Sequence, residues 1–478
     1  MKILLVGQSP LPIKEEGGNR VNAPGVRAWH FAKALTEAGH EVRLVAVQTE
    51  IRPLIEPRLI APRLILHPIL GAEITQDNLL ARLEAEFKPD ALVAASVWPS
   101  YLVALFGSAD LPFWADLFGS PLAEGQAKAA LYANDSLIEP FARFETTVLA
   151  RADVVSGVSS YQEYALVGGL AGQGRLNRHT YGYRLAYTIP AALDERVLAH
   201  DQTVLRAKIV PENAFVVLWS GGYNTWTDVD TLFAGLESAM LQTPRLHFVS
   251  TGGALPPHDS LTYPHFQSLV ETSAYRDRYH LLGWLPYEVL QNYYYESDLG
   301  IILDKWSYEG VLGSRTRLLD WLKYGLPAAV TLSAELTRKL GQAGLAFPFP
   351  HGDGPMLGKL LLELANNPAK LKEAGQRGKD YVLRNFNYMT ACAPLRAWAE
   401  NPRRAPDAGQ PRPFTLANSN QELEKQLAIY KSQLEAKNSQ IAALETWAHE
   451  MEATIKQQEN GPRTSFNNLL VKIKRGPK

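Results

Sequence analysis

A short charged run, YEGVLGSRTRLLDWLKYGLP, places an acid, two arginines and a second acid within one amphipathic pattern. Gly313 and Ser314 come just before Arg315 and Arg317, and apolar residues follow at positions 318, 319, 321 and 322. This order predicts a helix N-terminus, where backbone N–H groups and arginine side chains bind an anion. Asp320 follows near the second turn, where its carboxylate can accept hydrogen bonds from ribose hydroxyls. The alternative interpretation is an ordinary capped helix with surface arginines.

A glycine pair near the start of the chain, in EEGGNRVNAPGVR, offers a second place for phosphate. Gly17 and Gly18 have no side chains, so a diphosphate can approach their backbone. Arg20 and Arg27 add positive charge beside the helix that follows. The segment is not a dinucleotide fingerprint, because it lacks G-x-G-x-x-G. A simple turn remains the alternative interpretation of these glycines.

Two series of apolar runs, separated by helical patterns, must position these residues. The first series predicts strands at 2–7, 41–47, 64–69, 91–96, 111–117 and 154–159, and the second at 214–222, 246–253, 279–285, 299–304 and 327–332. Strand, helix, strand order implies parallel sheets with crossover helices. We therefore predict an α/β protein with two tandem Rossmann-like, doubly wound domains, 1–198 and 199–385, followed by a helix at 386–400 that returns to the first domain. Ligands bind such sheets at the carboxyl ends of the strands.

Composition narrows the function classes. A chain of 478 residues holds two or three domains, and a net charge of -1 gives no overall basic surface for nucleic acid. The single cysteine, Cys392, excludes an internal disulfide framework and a Cys-based zinc site, and it suits a reducing compartment. The N-terminal apolar run is too short for a signal peptide, and no run of about 20 apolar residues follows. We expect a cytoplasmic protein, soluble or peripheral at the inner face of a membrane.

The C-terminal part changes in character. Residues 401–418 are rich in proline and charge, which predicts a linker. Ten positions from Leu423 to Ile455 then alternate spacings of four and three, with Lys437 in the seam, which predicts a coiled coil at 419–459 and a homo-oligomer. A single solvated helix is the alternative. The basic tail at 460–478 suits either contact with an anionic membrane or a frayed end.

Four segments resemble the GT-B glycosyltransferases of the family 4 type. They are GVRAWHFAKALTEAGHEVRLV, VVLWSGGYNTWTDVDTLFAGL, LLGWLPYEVLQNYYYESDLGIILD and SRTRLLDWLKYGLPAAVT, within a resemblance that covers about residues 1–400. The resemblance implies that the N-terminal domain binds an acceptor, the second domain binds a nucleotide-sugar, and the reaction takes place between them.

The resemblance also implies contacts to the donor, to which Arg27, Ser314 and Arg315 are added from the patterns above. It matches Gly17 and Gly18 to the donor phosphates, Arg317 to the diphosphate, Asp320 to ribose, Trp284 and Leu285 to the base, and Glu309 and Gly310 to the transferred sugar. Two departures stand out. The usual E-x7-E spacing is absent, since Arg317 stands eight residues after Glu309, and SGGYNTWTD lacks the usual Arg and Lys pair, which leaves the phosphate to Asn224, Thr225 or the two arginines.

Two carboxylates in FWADLFGSPLAEGQAKAA are the predicted catalytic residues. Asp116 ends a predicted strand and Glu124 begins the next helix, where this architecture places acceptor-side groups. Either carboxylate can take the proton of an acceptor hydroxyl or orient donor and acceptor. A helix cap or a buried structural acid is the alternative for each.

The sequence thus predicts a glycosyltransferase that moves a hexosyl group from a nucleoside-diphosphate sugar to a glycan or lipid-linked acceptor in surface polysaccharide biosynthesis. We expect no cofactor and no metal ion, because no Asp-x-Asp pair ends a strand and arginines can neutralise the leaving diphosphate. Two alternatives remain: a GT-B nucleotide-sugar epimerase or phosphorylase, and a degenerate GT-B scaffold that acts through its coiled coil.

Overall fold

The computed structural model describes residues 1–13, 21–48, 56–256, 258–414 and 421–459, without the side chains of 421–423 and 453–459. These residues form two α/β domains, each built on a parallel or mainly parallel β-sheet. The predicted two-domain α/β fold is therefore confirmed.

The N-terminal sheet has the strand order β3-β4-β2-β1-β5-β6-β7-β8, and only β3 and β4 pair antiparallel. Its strands are β1 (Lys2–Gln8), β2 (Glu41–Gln48), β3 (Arg58–Ala61), β4 (Leu64–Leu70), β5 (Ala91–Ala94), β6 (Phe113–Asp116), β7 (Val154–Gly157) and β8 (Ala186–Thr188). Its helices are α1 (Ala23–Glu37), α2 (Gly71–Gln76), α3 (Leu79–Phe87), α4 (Val97–Phe106), α5 (Pro121–Tyr132), α6 (Ile138–Arg151) and α7 (Ser160–Gly172).

The second sheet has the order β11-β10-β9-β12-β13-β14, and all of its pairs are parallel. Its strands are β9 (Phe215–Ser220), β10 (Leu246–Thr251), β11 (Tyr279–Leu281), β12 (Leu299–Ile302), β13 (Ala328–Thr331) and β14 (Phe347–Phe349). Its helices are α8 (Val229–Gln242), α9 (Thr262–Glu271), α10 (Leu290–Glu296), α11 (Tyr308–Leu312), α12 (Arg317–Lys323), α13 (Glu335–Gln342), α14 (Gly354–Ala365) and α15 (Pro368–Asn385).

Helix α1 shows how local sequence sets the approach of helix to sheet. The Asn22 side chain accepts the Gly25 N–H at 2.7 Å, which caps the helix start. Phe31 and Leu35 are fully buried on its inner face. Gly7 in β1 allows close contact, because a Cβ at that position would lie 2.3 Å from the Cβ of Ala28. The carboxyl end of β1 is thereby held against the start of α1.

The chain returns to the N-terminal domain after α15. Helices α16 (Tyr388–Ala391) and α17 (Ala393–Ala399) pack on α1, where the Tyr388 hydroxyl donates to Glu37 at 2.7 Å and the Tyr388 ring stacks on His30. The segment 386–400 thus contacts the N-terminal domain through two short helices.

Residues 401–414 correct the expectation of a loose linker. Asp407 is buried and accepts two hydrogen bonds from Arg175, both at 2.9 Å. Asp153 accepts the backbone N–H of Ala405 at 2.8 Å and the side chain of Arg404 at 3.1 Å. The charges of this segment therefore fasten it to the N-terminal domain, and the predicted linker residues 415–418 lie outside the described residues.

A single long helix, α18 (Gln421–Glu459), follows. Its beginning packs on α2 and α4, where Glu424 accepts a hydrogen bond from the Tyr101 hydroxyl at 3.2 Å and Ala428 is buried. Further along, most of the predicted seam residues are exposed, among them the apolar Leu434 (60%), Ile441 (52%) and Leu444 (48%). The helix is present, whereas its pairing in a coiled coil is not confirmed. The tail at 460–478 lies outside the described residues, and no described helix has the length and apolar character needed to span a bilayer.

Candidate functional site

The carboxyl ends of β9, β10, β12 and β13 form one edge of the second sheet, and α12 begins beside it. After β9 the chain turns at Gly221, whose φ of +84° is the left-handed conformation that glycine adopts without strain. The guanidinium of Arg317, the first residue of α12, lies 4.5 Å from the ring centre of Trp219 and donates to the carbonyl of Gly222 at 3.0 Å. Arg317 therefore lies directly against the glycine turn that follows β9.

The hydrogen bonds of Arg317 are incomplete. One of its terminal nitrogens, Nη1, is buried and has no hydrogen-bond partner among the described residues. Burial, and secondarily the charge of Arg315, lower the pKa of Arg317 to about 10, so the group stays charged at neutral pH. A buried cationic donor without a partner is costly, and an anion such as phosphate would satisfy it.

Arg315, two residues earlier, is in the opposite situation. Its Nε donates to Asp304 at 2.8 Å and its Nη2 donates to Glu309 at 2.8 Å, and all three side chains are buried. Burial alone would lower the pKa of Arg315, but the two carboxylates raise it above its ordinary value. Arg315 is thus engaged by protein carboxylates, which argues against the predicted contact between Arg315 and the donor.

The surrounding helix boundaries also differ from the prediction. The helix that carries Arg317 begins at that residue, so Gly313, Ser314 and Arg315 lie before its first turn, and a separate short helix, α11, precedes them. The Ser307 side chain caps α11 by accepting the Gly310 N–H at 3.0 Å. Glu309 therefore sits in the first turn of α11, fixed by Arg315, and burial raises its pKa while Arg315 opposes that effect. Ser314 lies half-buried between the two helices.

Asp320 lies one turn beyond Arg317 in α12 and is half-buried. Its carboxylate has no hydrogen-bond donor among the residues the structure describes, and burial raises its pKa to about 6, partly offset by Lys323. The nearby charge of Asp320 is the main cause that raises the pKa of Tyr287, and it adds to burial in raising the pKa of Tyr294. This carboxylate can accept hydrogen bonds from two neighbouring hydroxyl groups of a ligand.

The loop after β11 completes the donor-side wall. The Trp284 indole N–H donates to the carbonyl of Ala254 at 3.1 Å, which joins this loop to the one after β10. Leu285, the next residue, is half-buried against the cluster that includes Leu318 and Trp321. The two predicted base-contacting residues are therefore anchored close to the strand ends, on the same side of the sheet as α12.

Glu124 faces the second domain from the first turn of α5. Its Oε1 lies 3.5 Å from Nδ1 of His258, and a second contact between the domains joins the Ser260 N–H to the Tyr132 hydroxyl at 2.9 Å. Burial raises the pKa of Glu124 to about 7, and the negative charge of Glu309 acts in the same direction. Burial also lowers the pKa of His258 to about 4, which keeps the imidazole neutral. Glu124 therefore lies at the domain boundary, where it is affected by the charge of a carboxyl group from the second domain.

Comparisons with known proteins find a family match in the N-terminal domain and a likeness in fold over both domains. Residues 22–173 match the family model of the glycosyl transferase 4-like domain. Sucrose-phosphate synthase from Thermosynechococcus elongatus is 16% identical and superposes with a TM-score of 0.60 over 84% of this chain and 98% of that chain. Anabaena HepE in complex with UDP and glucose gives 15% identity and a TM-score of 0.60, over 84% of this chain and 100% of that chain.

A trehalose-6-phosphate synthase, OtsA, gives 12% identity and a TM-score of 0.60, again over 84% of this chain and 100% of that chain. No sequence among the curated proteins matches this chain. This chain therefore has a GT-B fold, and its residues 22–173 are similar to the glycosyl transferase 4-like domain. The family match falls within the N-terminal domain, and the structural likeness extends over both GT-B domains.

Within this GT-B fold, Asp116 and Arg27 form a buried pair. Asp116 has no exposed surface, and its carboxylate accepts from Arg27 at 2.7 and 3.1 Å and from the Ser156 hydroxyl at 2.7 Å. Arg27 also donates to the carbonyls of Ile189 and Pro190, both at 2.8 Å. The expectations of Asp116 as a proton acceptor and of Arg27 as a donor contact find no support here, because each group is enclosed and fully engaged.

Two further points concern the predicted set. Gly17 and Gly18 lie outside the described residues, so their contact with phosphate stays a prediction. His258 and Asp304 were missed by sequence reasoning, and only the folded chain brings them to Glu124 and Arg315. Asp304 ends the predicted strand 299–304, which is the signal that singled out Asp116 and could have found it, whereas no pattern marks His258.

Proposed function

We propose that this GT-B protein is a glycosyltransferase that uses a nucleoside-diphosphate sugar. The observation that carries the proposal is Nη1 of Arg317, which has no partner among the described residues and lies at the glycine turn after β9. Asp320, one helical turn away in α12, likewise has no hydrogen-bond donor in the described part of the chain. A diphosphate and a ribose supply the anion and the hydroxyl donors that these two groups lack. The complex of the similar protein HepE with UDP and glucose supports a donor of this chemical class.

The described residues then take separate roles around the donor. Arg317 binds the diphosphate, Asp320 the ribose, and Trp284 and Leu285 the base. Arg315 holds Glu309 at the transferred sugar, beside the boundary with the N-terminal domain, through a hydrogen-bonded ion pair.

In the transfer step, the bond between the sugar C1 and the diphosphate oxygen breaks as the acceptor oxygen bonds to C1. The leaving diphosphate takes the bonding electrons, and Arg317 stabilises its charge. Glu124 accepts the acceptor's proton, a role that suits a carboxyl group with a pKa of about 7. His258 orients that carboxyl group from the opposite domain.

The acceptor is proposed to be a glycan or a lipid-linked sugar in surface polysaccharide biosynthesis. Support comes from the sequence resemblance and from the basic tail at 460–478, which would hold the enzyme at an anionic membrane. The exposed stripe formed by Leu434, Ile441 and Leu444 supports homo-oligomer formation through α18.

A degenerate scaffold is the second candidate, because the turn after β9, GGYNTWT, contains no Arg or Lys. Thermal unfolding of the full chain with UDP, GDP, ADP, CDP and dTDP separates the two. We expect one nucleotide to raise the unfolding temperature of the wild type but not of Arg317→Ala. If no nucleotide stabilises the wild type, the scaffold is supported. Conversion or phosphorolysis of a nucleotide-sugar without an acceptor would instead support an epimerase or phosphorylase.

A further inference from the structure

Two aromatic side chains are exposed in the segment that joins β12 to α11. Trp306 is 63% exposed and Tyr308 is 56% exposed, and their ring centres lie 5.5 Å apart at an angle of 60°. Neither the Trp306 indole N–H nor the Tyr308 hydroxyl has a hydrogen-bond partner among the described residues. We call this pair the aromatic platform.

The backbone under the aromatic platform is held at several points. Asp304, at its beginning, binds Arg315 at 2.8 Å, and its carbonyl oxygen lies 2.9 Å from Nδ1 of His351. The Lys305 N–H donates to the carbonyl of Trp226 at 2.8 Å, and Ser307 caps α11. The two rings are therefore held on a fixed backbone. Binding a ligand to them costs the protein little conformational entropy.

The aromatic platform adjoins the proposed catalytic groups. Tyr308 is followed directly by Glu309, whose charge acts on Glu124, and α11 packs against α5 and α7 of the N-terminal domain. A molecule that reaches from Glu124 along α11 to the surface would meet the two rings. The acceptor approaches from this side in the proposed reaction, because Glu124 takes its proton.

From this geometry we infer that the aromatic platform is a glycan subsite: the sugar unit of the acceptor next to the reacting one stacks on Trp306 and Tyr308. The C–H face of a pyranose ring is apolar and packs on aromatic rings, while its hydroxyls reach the indole N–H and the phenol. This inference names the acceptor class within the proposed function and rests on it for the acceptor's direction of approach.

The size of the aromatic platform favours a sugar over a protein partner. Between residues 299 and 350, all of which the structure describes, no other large apolar side chain is exposed. A stable protein interface buries about 800 Å² on each partner, with a cluster of apolar anchors at its centre. Two rings match the footprint of one or two sugar units.

The test uses the full-length protein and short oligomers of glucose, mannose, galactose and N-acetylglucosamine in saturation-transfer NMR. We expect binding of at least one oligomer, weakened about tenfold by Trp306→Ala or Tyr308→Ala, the usual scale for losing an aromatic stacking partner. The control is Tyr181→Ala, which removes an exposed tyrosine of the N-terminal domain and should leave the affinity for the oligomer unchanged. Both rings are exposed, so the unfolding temperature should not move.

Three results would contradict a glycan subsite on the aromatic platform. They are that no oligomer binds the wild type, that binding is unchanged in both variants, or that light scattering shows Trp306→Ala to break an assembly of the wild type. Failure of the proposed function looks different. If the chain binds oligosaccharide through these rings but binds no nucleotide, the subsite is supported and the transferase is contradicted. If the chain transfers sugar and Trp306→Ala leaves the KM for the acceptor unchanged, the transferase is supported and the subsite is contradicted.

Discussion

The two charged clusters of this molecule differ in how completely their groups are paired. In the N-terminal domain, Arg27 and Asp116 satisfy each other and the neighbouring Ser156 and backbone carbonyls. In the second domain, Arg317 leaves one buried nitrogen without a partner and Asp320 lacks a donor among the described residues. Folding has satisfied the first cluster, whereas the described residues leave the second incomplete, which is why we propose it as the ligand site. Charge and burial alone do not distinguish the two; the count of satisfied donors and acceptors does.

The largest expected effect is a loss of stability when the buried pair of Arg27 and Asp116 is broken. Asp116→Ala should lower the free energy of unfolding by about 3 to 5 kcal/mol, because it leaves the Arg27 charge buried without its partner. Urea unfolding measures this directly. The double variant Arg27→Met with Asp116→Leu should recover much of the loss, since it removes both charges. A variant that is as stable as the wild type but has lost transfer would show instead that Asp116 is catalytic.

The next effect concerns Glu124, across the domain boundary. Glu124→Gln should reduce transfer about 100-fold or more, the usual scale for a positioned proton acceptor, with nucleotide affinity unchanged. In the wild type the rate should rise with pH through about 7, as Glu124 loses its proton, and the variant should lack this rise. Glu145→Gln is the matched control, because burial also raises the pKa of Glu145 but this residue lies in α6.

The carboxyl group of Glu124 also makes the free energy of unfolding depend on pH. Its folded pKa of about 7 lies above the ordinary value of 4.5, so the folded chain holds the proton more tightly than the unfolded chain. The stabilisation is fully present below about pH 4.5 and is lost as the pH rises through about 7. Glu124→Gln should flatten this part of the curve of unfolding free energy against pH. A rate and a stability that are both insensitive to Glu124→Gln would mean that the group is a surface acid.

The variant Arg317→Ala tests whether the incomplete cluster of the second domain binds the nucleotide. We expect nucleotide affinity to fall about 10- to 150-fold, which corresponds to the 1.5 to 3 kcal/mol of a hydrogen bond to a charged group. The unfolding temperature of the free protein should change little, because the removed group is only partly satisfied. Calorimetry with the stabilising nucleotide measures the affinity.

Arg315→Ala is the control, with the opposite expected result. It should destabilise the fold, because Asp304 and Glu309 would remain buried without their cation. Equal nucleotide affinity in the wild type and in Arg317→Ala would place the phosphate elsewhere.

The sequence was sufficient for the strands that are apolar and buried. Strands such as β1 and β5 are continuous apolar runs because they are buried on both faces. The strands that were missed, β3, β8 and β14, have three or four residues each and lie at or near a sheet edge. Length alone is not the reason, because β5 and β12 also have four residues and were predicted. The missed strands β3 and β8 are half-exposed and β14 contains a proline, so none of them is a buried apolar run.

The site was predictable in location but not in detail. The pattern placed Arg315 and Arg317 together, and nothing local to them shows that Asp304, eleven residues earlier, engages only Arg315. In the same way, the proline and charge of residues 401–414 are typical of a linker, and the pairing of Asp407 with Arg175 depends on residues 232 positions apart. Long-range pairing decides which charges are structural, and one sequence does not contain it.

The smallest effect on stability is expected in α18. This helix has one part that contacts the N-terminal domain and another part that is exposed. Glu424 and Ala428 contact the N-terminal domain, whereas Leu434, Ile441 and Leu444 are exposed in the isolated chain. Substituting the three exposed residues by Gln should change the unfolding free energy of the monomer by no more than about 0.5 kcal/mol, because they contact little.

The same substitutions should nevertheless convert an oligomer into a monomer, because these side chains would form the seam of a coiled coil. Light scattering on the wild type and the triple variant measures the mass, and Gln433→Ala with Gln440→Ala, exposed positions of α18 outside the seam, is the control. A wild type that is monomeric at all concentrations would contradict the oligomer, and α18 would then be a solvated helix fastened only at its beginning. If the triple variant alone is monomeric, the exposed stripe is completed by a second copy, as the incomplete cluster in the second domain is completed by its ligand.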